Sequence, residues 1–207
     1  MQKAVSLPIN HISAYALTYE KNTPIFRKLE NKEILPISDK LSSEMYKYSL
    51  DYLPRKKFFH YEVSNFAKKR FECKHNLNYW HNNSNVGLGP SVFSYIGGVR
   101  VRNISQLKNY VIRIKSGKSP VAFREKLSFL GRAKETAALK IRTKECIYFN
   151  LFKERTGFDF IDLEKNVLSD LQKQEFIRYL NYKGKPVSIY LTKKGFLFCD
   201  SVCSELL

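Results

Sequence analysis

HYEVSNFAKKRFECKHNLNYWHNNSNVGLGPSVFS, residues 60–94, is the stretch of sequence that decides the fold and holds most of the candidate functional side chains. It combines histidine, glutamate and asparagine with tyrosine, tryptophan and two closely spaced glycines. A segment that only fills a core is seldom so rich in polar side chains. We therefore interpret it as the wall of a site for a flat aromatic ligand or a cofactor.

Strands and helices are expected to alternate around this stretch. Alternating side chains and β-forming residues predict strands at 9–20, 58–64 and 85–88. The spacing of apolar residues predicts helices at 38–53, 76–81 and 105–116, with Ser38 as the N-cap of the first and Gly117 at the end of the last. Strands that alternate with helices are typical of a parallel sheet.

The last third of the sequence has the pattern of a separate helical domain, and Ser119-Pro120 is the candidate linker. Beyond it we expect three helices, a hairpin and a last helix capped by Thr192. The helices lie near 126–142, 146–155 and 162–173, and the hairpin joins 175–181 to 187–191. The order of helices and hairpin resembles a winged-helix module. We therefore expect an α/β fold with domains at residues 1–120 and 121–207.

Composition limits the classes of protein to consider. Hydrophobic residues make up 43% and aromatic residues 14% of the 207 residues, which favours a packed core over disorder. No apolar run approaches the roughly 20 residues of a membrane helix. The first residues have no apolar segment of the secretory kind, so we expect no membrane span and a cytoplasmic chain.

The charge is strongly positive and unevenly distributed. The net charge is +17, and residues 1–120 contribute +12 of it. One interpretation is an anionic partner, such as nucleic acid, phosphate or the propionates of a porphyrin. We favour the alternative, a lysine-rich solvated surface, because lysine outnumbers arginine and no long basic block occurs.

Four motifs, in this order, resemble the oxygen-independent coproporphyrinogen III oxidase-like proteins, and most closely their HemW-type haem chaperone branch. They are HISAYALTYE from His11, HYEVSNFA from His60, HNLNYW from His75 and GLGPSVFS from Gly87. These are radical S-adenosylmethionine (SAM) proteins. The resemblance implies that residues 1–120 form the C-terminal part of a partial (β/α)6 radical-SAM barrel and that a winged-helix-like domain follows. We therefore expect the chain to correspond to the second half of such a protein.

The resemblance also implies cofactors. Haem is one candidate. SAM and a four-iron–four-sulfur cluster are implied only if a separate chain supplies the N-terminal, cluster-binding half. Cys199 and Cys203 form a C-x3-C pair, but Leu206 stands at the third position of the C-x3-C-x2-C cluster motif. Because the pair continues an apolar helical stripe with Phe196 and Leu206, we expect both cysteines in the core.

HNLNYW is the candidate haem contact. Haem iron accepts an axial imidazole, and the porphyrin plane prefers apolar and aromatic walls. The resemblance makes His75 the candidate iron ligand, with Asn76, Tyr79 and Trp80 around it. The residues alone leave a second interpretation open, in which His75 and Asn76 cap a helix and the two aromatic side chains fill the core.

Five further residues are candidates for the wall of a substrate or cofactor site. His60 and Glu62 lie two positions apart on a predicted strand, so their side chains would share a face. They would either work on a ligand or satisfy each other in the core. Asn65 would bind a substrate or cap the next turn. Gly87 and Gly89 allow a close approach of the backbone to a ligand.

The resemblance implies SAM contacts at Ala16 and Phe93. The family pattern at the glycine turn is closer to G-x-G-P-G-A-H-S. This chain departs from it at Ser91, Val92 and Phe93. No catalytic residue is assigned.

Three functional hypotheses follow. The first is a haem- or porphyrin-binding protein of the haem chaperone type, and we favour it. The second is a component of a coproporphyrinogen III oxidase-like radical SAM enzyme in porphyrin biosynthesis, inactive by itself. The third is a basic winged-helix protein that binds nucleic acid through lysines near the hairpin, such as Lys183 and Lys185, and it is the weakest because residues 183–194 contain no arginine.

Overall fold

The computed structural model describes every residue, Met1–Leu207, and divides the chain into two compact units, Met1–Glu72 and Cys73–Leu207. Both units mix helices with small antiparallel sheets. None of the helices has the combined length and apolar character that a membrane crossing requires.

The first unit packs helices on a three-stranded sheet. Its elements are α1 (Gln2–Val5), β1 (His11–Ser13), α2 (Pro24–Glu30), α3 (Asp39–Arg55), β2 (Phe59–Glu62) and β3 (Asn65–Ala67). The strand order is β1-β3-β2, and both pairs are antiparallel. Leu53, Phe58 and Phe66 form the buried core. The predicted N-cap of α3 is confirmed, because the Ser38 hydroxyl accepts the backbone N–H of Leu41 at 3.3 Å.

The second unit contains two further sheets. Its elements are α4 (Lys74–Trp80), β4 (Phe93–Ile96), β5 (Val99–Asn103), α5 (Leu107–Lys115), β6 (Val121–Lys126), α6 (Phe129–Lys140), β7 (Ile147–Tyr148), α7 (Phe149–Thr156), α8 (Phe160–Lys173), β8 (Ile177–Tyr182), β9 (Lys185–Leu191), α9 (Lys193–Leu197) and α10 (Cys199–Glu205). The strand orders are β4-β5-β6 and β7-β9-β8, again with antiparallel pairs only.

The prediction of a parallel sheet is therefore wrong. β4 and β5 are joined by only Gly97 and Gly98, whose φ angles are +59° and +85°. Positive φ at both central residues is the requirement of a tight hairpin turn, and a tight turn can only join antiparallel strands. The expected strand over 9–20 is reduced to β1. The expected strand at 85–88 is replaced by a single bridge from Asn85 to Tyr95.

The structure also divides the chain elsewhere than expected. β6 follows the Ser119-Pro120 pair and hydrogen-bonds to β5, so one sheet extends across position 120. The boundary between the two compact units falls between Glu72 and Cys73 in the sequence. Local composition suggested a linker at Ser119-Pro120, but strand pairing makes this dipeptide an internal connection of the second unit.

The C-terminal elements match the sequence prediction closely. Three helices, the β8–β9 hairpin and the Thr192 N-cap all form, and the Thr192 hydroxyl accepts the N–H of Gly195 at 2.9 Å. Two features differ: β7 adds a third strand to the hairpin, and the last helix is interrupted at Phe198. The predicted apolar stripe of Phe196, Cys199, Cys203 and Leu206 is confirmed, because all four side chains are buried. The winged-helix assignment of residues 121–207 stays a prediction.

Gly195 is required by close packing. A Cβ at this position would overlap the backbone carbonyl of Phe176. That carbonyl is held in place because it accepts the N–H of Thr192 at 2.9 Å. The side chain is therefore excluded by backbone, which cannot move aside as a flexible side chain can.

We predict that Gly195→Ala lowers the free energy of unfolding by about 1–3 kcal/mol, the usual cost of overpacking. Gly131→Ala is the matched control, because Gly131 is also helical and a Cβ added there would meet only the Ser128 hydroxyl, at 3.2 Å. Urea denaturation followed by circular dichroism measures both. A Gly195→Ala chain as stable as the control would contradict the packing argument.

Glu164 is a carboxylic acid enclosed at an irregular turn of α8. Its side chain is buried, its φ of −119° and ψ of 19° interrupt the helix, and its Oε1 atom has no hydrogen-bond partner. Burial raises the pKa of Glu164, and the charge of Lys134 only partly opposes that rise. The neutral acid is therefore favoured in the folded chain relative to the unfolded one.

We predict that Glu164→Gln stabilises the chain at pH 7 by about 1 kcal/mol and has little effect near pH 4. A raised pKa gives stability that is complete below the unfolded pKa of about 4.3 and is lost as the pH rises through the folded value. Thermal melts across this range, with exposed Glu154→Gln as control, measure the difference. An equal effect of both variants at all pH values would sink the prediction.

Candidate functional site

The motif HNLNYW forms the short helix α4. The helix begins after Cys73, which makes no side-chain cap, and so His75 and Asn76 lie inside it. The alternative in which these two residues cap the helix is therefore wrong. His75 and Tyr79 are one turn apart and both exposed, and their rings meet edge to face with centroids 4.8 Å apart. We call these two side chains the α4 ridge.

The other aromatic residue of the motif faces the protein. Trp80 is partly buried, and the guanidinium carbon of Arg142 lies 4.9 Å from the centre of its ring. Such a cation–π contact contributes about 0.5–2 kcal/mol. Trp80 therefore anchors α4, whereas the α4 ridge is free to meet a ligand. Asn76 is half-buried between these two positions.

Hydrogen bonds after α4 hold its C-terminal end. The Asn82 amide donates to the Thr136 hydroxyl at 3.0 Å and to a Glu135 carboxylate oxygen at 3.3 Å. His81 Nε2 lies 2.9 Å from a carboxylate oxygen of Glu145. His81 thus has a partner within the chain, whereas a histidine that binds a ligand needs an accessible ring nitrogen. This end of α4 is fixed to the elements around α6.

The glycine turn is packed by the chain itself. A Cβ on Gly87 would overlap the side chain of Val92 and the carbonyl of Phe93. The Gly87 N–H donates to the Ser94 hydroxyl at 2.9 Å, and the Gly89 carbonyl accepts from the Asn103 amide at 2.9 Å. The close approach that we expected of a ligand is made at Gly87 by the chain's own β4. Gly89, with a φ of +120°, has open space around its Cα.

Phe93 lies on an exposed row of the β4-β5-β6 sheet. In the strand register Phe93 stands opposite Arg102, and Arg102 stands opposite Phe123. Both phenylalanines are exposed, and the Arg102 guanidinium lies 5.7 Å from the Phe93 ring centre. Arg102 and Phe123 were not among the candidates from the sequence. The alternation of residues 99–103 would have indicated Arg102 once the Gly97-Gly98 hairpin was recognised, whereas Phe123 joins the row only through the β5–β6 pairing.

In the first unit, His60 and Glu62 do not keep the simple alternation that we predicted. The register of β2 against β3 shifts between His60 and Glu62. Because regular alternation is interrupted there, spacing alone no longer places the two side chains on one face of the strand. The Glu62 side chain is fully buried. His60 is half-buried, with its ring centroid 4.9 Å from that of Phe66.

Asn65 is used within the first unit. The Ser13 hydroxyl donates to its carbonyl oxygen at 2.5 Å, and its amide lies 3.5 Å from the Tyr15 hydroxyl. Asn65 therefore connects β3 to the chain around β1. His11 Nε2 lies 2.8 Å from the Tyr61 hydroxyl, and burial lowers the pKa of His11. Ala16 is exposed in a segment without regular structure, although we expected it on a strand.

The structure thus distributes the candidates over both units. Ala16, His60, Glu62 and Asn65 belong to the first unit, and the other candidates belong to the second. No group of three or more potential metal-binding side chains of His, Cys, Asp or Glu is present. The substrate and SAM contacts named from the sequence stay predictions.

Comparison with curated proteins finds relatives along the whole chain. It is 29% identical over 210 residues to the heme chaperone HemW of Lactococcus lactis, covering 100% of this chain and 53% of that protein. It is 31% identical over 204 residues to the heme chaperone HemW of Mycobacterium tuberculosis, covering 99% of this chain and 49% of that protein. A mitochondrial radical S-adenosyl methionine domain-containing protein 1 of Danio rerio is 26% identical over 209 residues. No family model matches the chain.

The fold is similar to about half of a solved structure. Coproporphyrinogen III oxidase (HemN) from Escherichia coli superposes with a TM-score of 0.74 at 15% sequence identity, covering 99% of this chain and 49% of that one. The chain spans about half the length of the curated relatives it matches, and the matched region is their C-terminal half.

Proposed function

Starting from homology along its whole length to the C-terminal half of proteins named heme chaperone HemW, we propose that this chain binds haem or a related porphyrin through the α4 ridge. The single observation that carries the proposal is the exposed pair of His75 and Tyr79. These two side chains offer an imidazole and an aromatic surface on the same helix face.

The chemistry of the ridge suits haem. An accessible imidazole is a common axial ligand of haem iron, and aromatic rings pack well on a porphyrin. In this proposal His75 would hold the iron and Tyr79 would pack against the macrocycle. Trp80 and Arg142 act indirectly, since they fix α4 in place. Bound haem would supply an iron centre with an affinity for ligands, and the chain's residues would bind and orient it.

The exposure of the ridge suits a transfer role. Cofactor sites that retain their ligand bury most of its surface. Here the proposed iron ligand and its aromatic neighbour both lie on the surface of one short helix. A haem held in this way would stay partly open to solvent and to a recipient protein. Reversible binding of this kind is what a chaperone requires.

The positive charge of the chain supports the same proposal. Haem carries two propionates, which are anionic at neutral pH. The net charge of +17 attracts anions at long range and raises their association rate. Residues 73–207 present exposed arginines, among them Arg102 beside Phe93.

The enzymatic alternative has weaker support. In its favour, one relative of the chain is named as a radical S-adenosyl methionine domain-containing protein, and the fold is similar to half of HemN. The proposed SAM contacts, Ala16 and Phe93, are both exposed. The comparisons give no support to a separate chain that carries a cluster-binding half. Nothing in them favours the nucleic-acid hypothesis either. Cytoplasmic localisation stays a prediction.

We predict that haemin added to the chain gives a shifted Soret band and that His75→Ala removes this shift, because the variant loses the axial imidazole. The apparent Kd should rise at least about tenfold, which corresponds to 1.4 kcal/mol. His81→Ala is the matched control, since His81 follows the same helix but lies beside Glu145. Absorbance titration measures all three chains.

Circular dichroism must show that both variants keep the fold. A His75→Ala chain with an unchanged Soret shift would remove His75 from the proposal. Loss of the shift in His81→Ala alone would place the iron ligand at the C-terminal end of α4. Absence of any shift with the unsubstituted chain would contradict haem binding itself.

A further inference from the structure

The thiols of Cys199 and Cys203 form a buried pair that the proposed function does not use. Their Sγ atoms are 4.0 Å apart, and the residues are 3% and 7% exposed. Both occur as free thiols in α10, one turn apart. The other two cysteines, Cys73 and Cys146, are only half-buried.

A cation lies beside this pair. Arg142 Nη1 is 3.6 Å from Cys203 Sγ and 2.8 Å from a carboxylate oxygen of Asp200. A positive charge near a sulfur favours the thiolate, which is the reactive form of cysteine. The hydrogen bond with Cys199 and the charge of Arg142 lower the pKa of Cys203, whereas the same hydrogen bond and burial raise the pKa of Cys199. Cys203 is thus the sulfur whose thiolate Arg142 favours. In the resting pair its S–H is donated to the Ala138 carbonyl at 3.1 Å, so Cys203 reacts once this proton has left.

A crosslink requires the start of α10 to adjust. Residues four apart in an α-helix have Cα atoms roughly 6 Å apart, within the disulfide range of about 4.4–6.8 Å, but their Cβ atoms are about 5–6 Å apart and must come within about 4.5 Å. The sulfurs need to approach from 4.0 Å to a bond of about 2 Å. Cys199 is the first residue of α10 and follows Phe198, whose φ of −113° and ψ of 27° lie outside the helix. This end of the helix can therefore adjust.

We propose that Cys199 and Cys203 are a redox modification site, at which hydrogen peroxide converts the two thiols into an intrachain disulfide. The Cys203 thiolate attacks one peroxide oxygen, the O–O bond breaks, and a sulfenic acid and hydroxide form. Cys199 sulfur then attacks the sulfenic sulfur and displaces its hydroxyl group, which leaves as water with the Cys199 proton. The first hydroxide takes the proton that Cys203 released. The thiols lose two electrons, and peroxide becomes two waters.

The same arginine connects this site to α4. Arg142 lies beside Cys203 and also over the ring of Trp80. A disulfide has no S–H, so oxidation ends the hydrogen bond from Cys203 to the Ala138 carbonyl and changes the sulfur that Arg142 contacts. Trp80 is the only tryptophan of the chain, and its fluorescence therefore reports on this change. The proposal does not depend on haem binding, because it concerns the chain without a ligand.

The test uses the full chain, fully reduced and free of haem, and treated with one equivalent of hydrogen peroxide. After denaturation the remaining thiols are alkylated, and trypsin releases residues 195–207 as one peptide with both cysteines. We expect this peptide to lose two hydrogens, about 2 Da, and to escape alkylation. Cys73 and Cys146 should still be alkylated. Reductant should restore two alkylatable thiols to the peptide.

Two variants separate the roles. Cys199→Ser should stop the reaction at the sulfenic acid of Cys203, which dimedone traps. Arg142→Gln should slow disulfide formation by about tenfold, while Arg178→Gln on exposed β8 should leave the rate unchanged. If peptide 195–207 keeps both alkylatable thiols after peroxide treatment, or if only Cys73 and Cys146 react, the proposal is overturned. A disulfide that forms without changing Trp80 emission would disprove the connection to α4.

Discussion

In the second unit, the placement of α4 and the surroundings of Cys203 both depend on the guanidinium of Arg142. It covers the ring of Trp80, pairs with Asp200 and contacts Cys203. Through these contacts one side chain positions α4 and sets the electrostatic surroundings of α10. An arginine serves here because its planar cation stacks on an aromatic ring while its edge donates hydrogen bonds. A lysine would provide the charge without the stacking surface.

The arrangement explains how a seven-residue helix can present a site. A helix as short as α4 is unstable alone, because nucleation costs more than its few hydrogen bonds return. Tertiary contacts therefore have to hold it. Trp80 and Asn82 supply these contacts toward α6, and the outward face is left to His75 and Tyr79. This division between an anchoring face and an exposed face leaves His75 and Tyr79 accessible for the binding that we propose.

The polar residues of the first unit bind one another or are buried and do not form an exposed site. Asn65 and His11 direct their polar atoms at Ser13 and Tyr61, and Glu62 is completely enclosed. Buried polar groups need partners, so a strand rich in such residues builds an internal network before it builds a ligand site. Sequence motifs name the residue types but not their partners. For this reason the same pattern suggested a wall around a cofactor.

Much of the architecture was determined by local sequence alone. Ser38 and Thr192 cap their helices, the apolar stripe from Phe196 to Leu206 is buried, and the β8–β9 hairpin forms where its turn residues stand. These features depend on contacts within a few residues, which a periodic pattern records. The motifs from His11 to Ser94 likewise identified the relatives correctly.

Only the tertiary structure decided the strand direction, the position at which the chain divides and the use of each candidate side chain. Strand pairing joins residues far apart, as in β5 with β6 across Pro120, and no local pattern specifies that partner. Arg142 lies 62 positions from Trp80 in the sequence, and the residues around each of them do not predict that the two side chains are in contact. Local periodicity determines what an element is, whereas long-range packing determines what it touches.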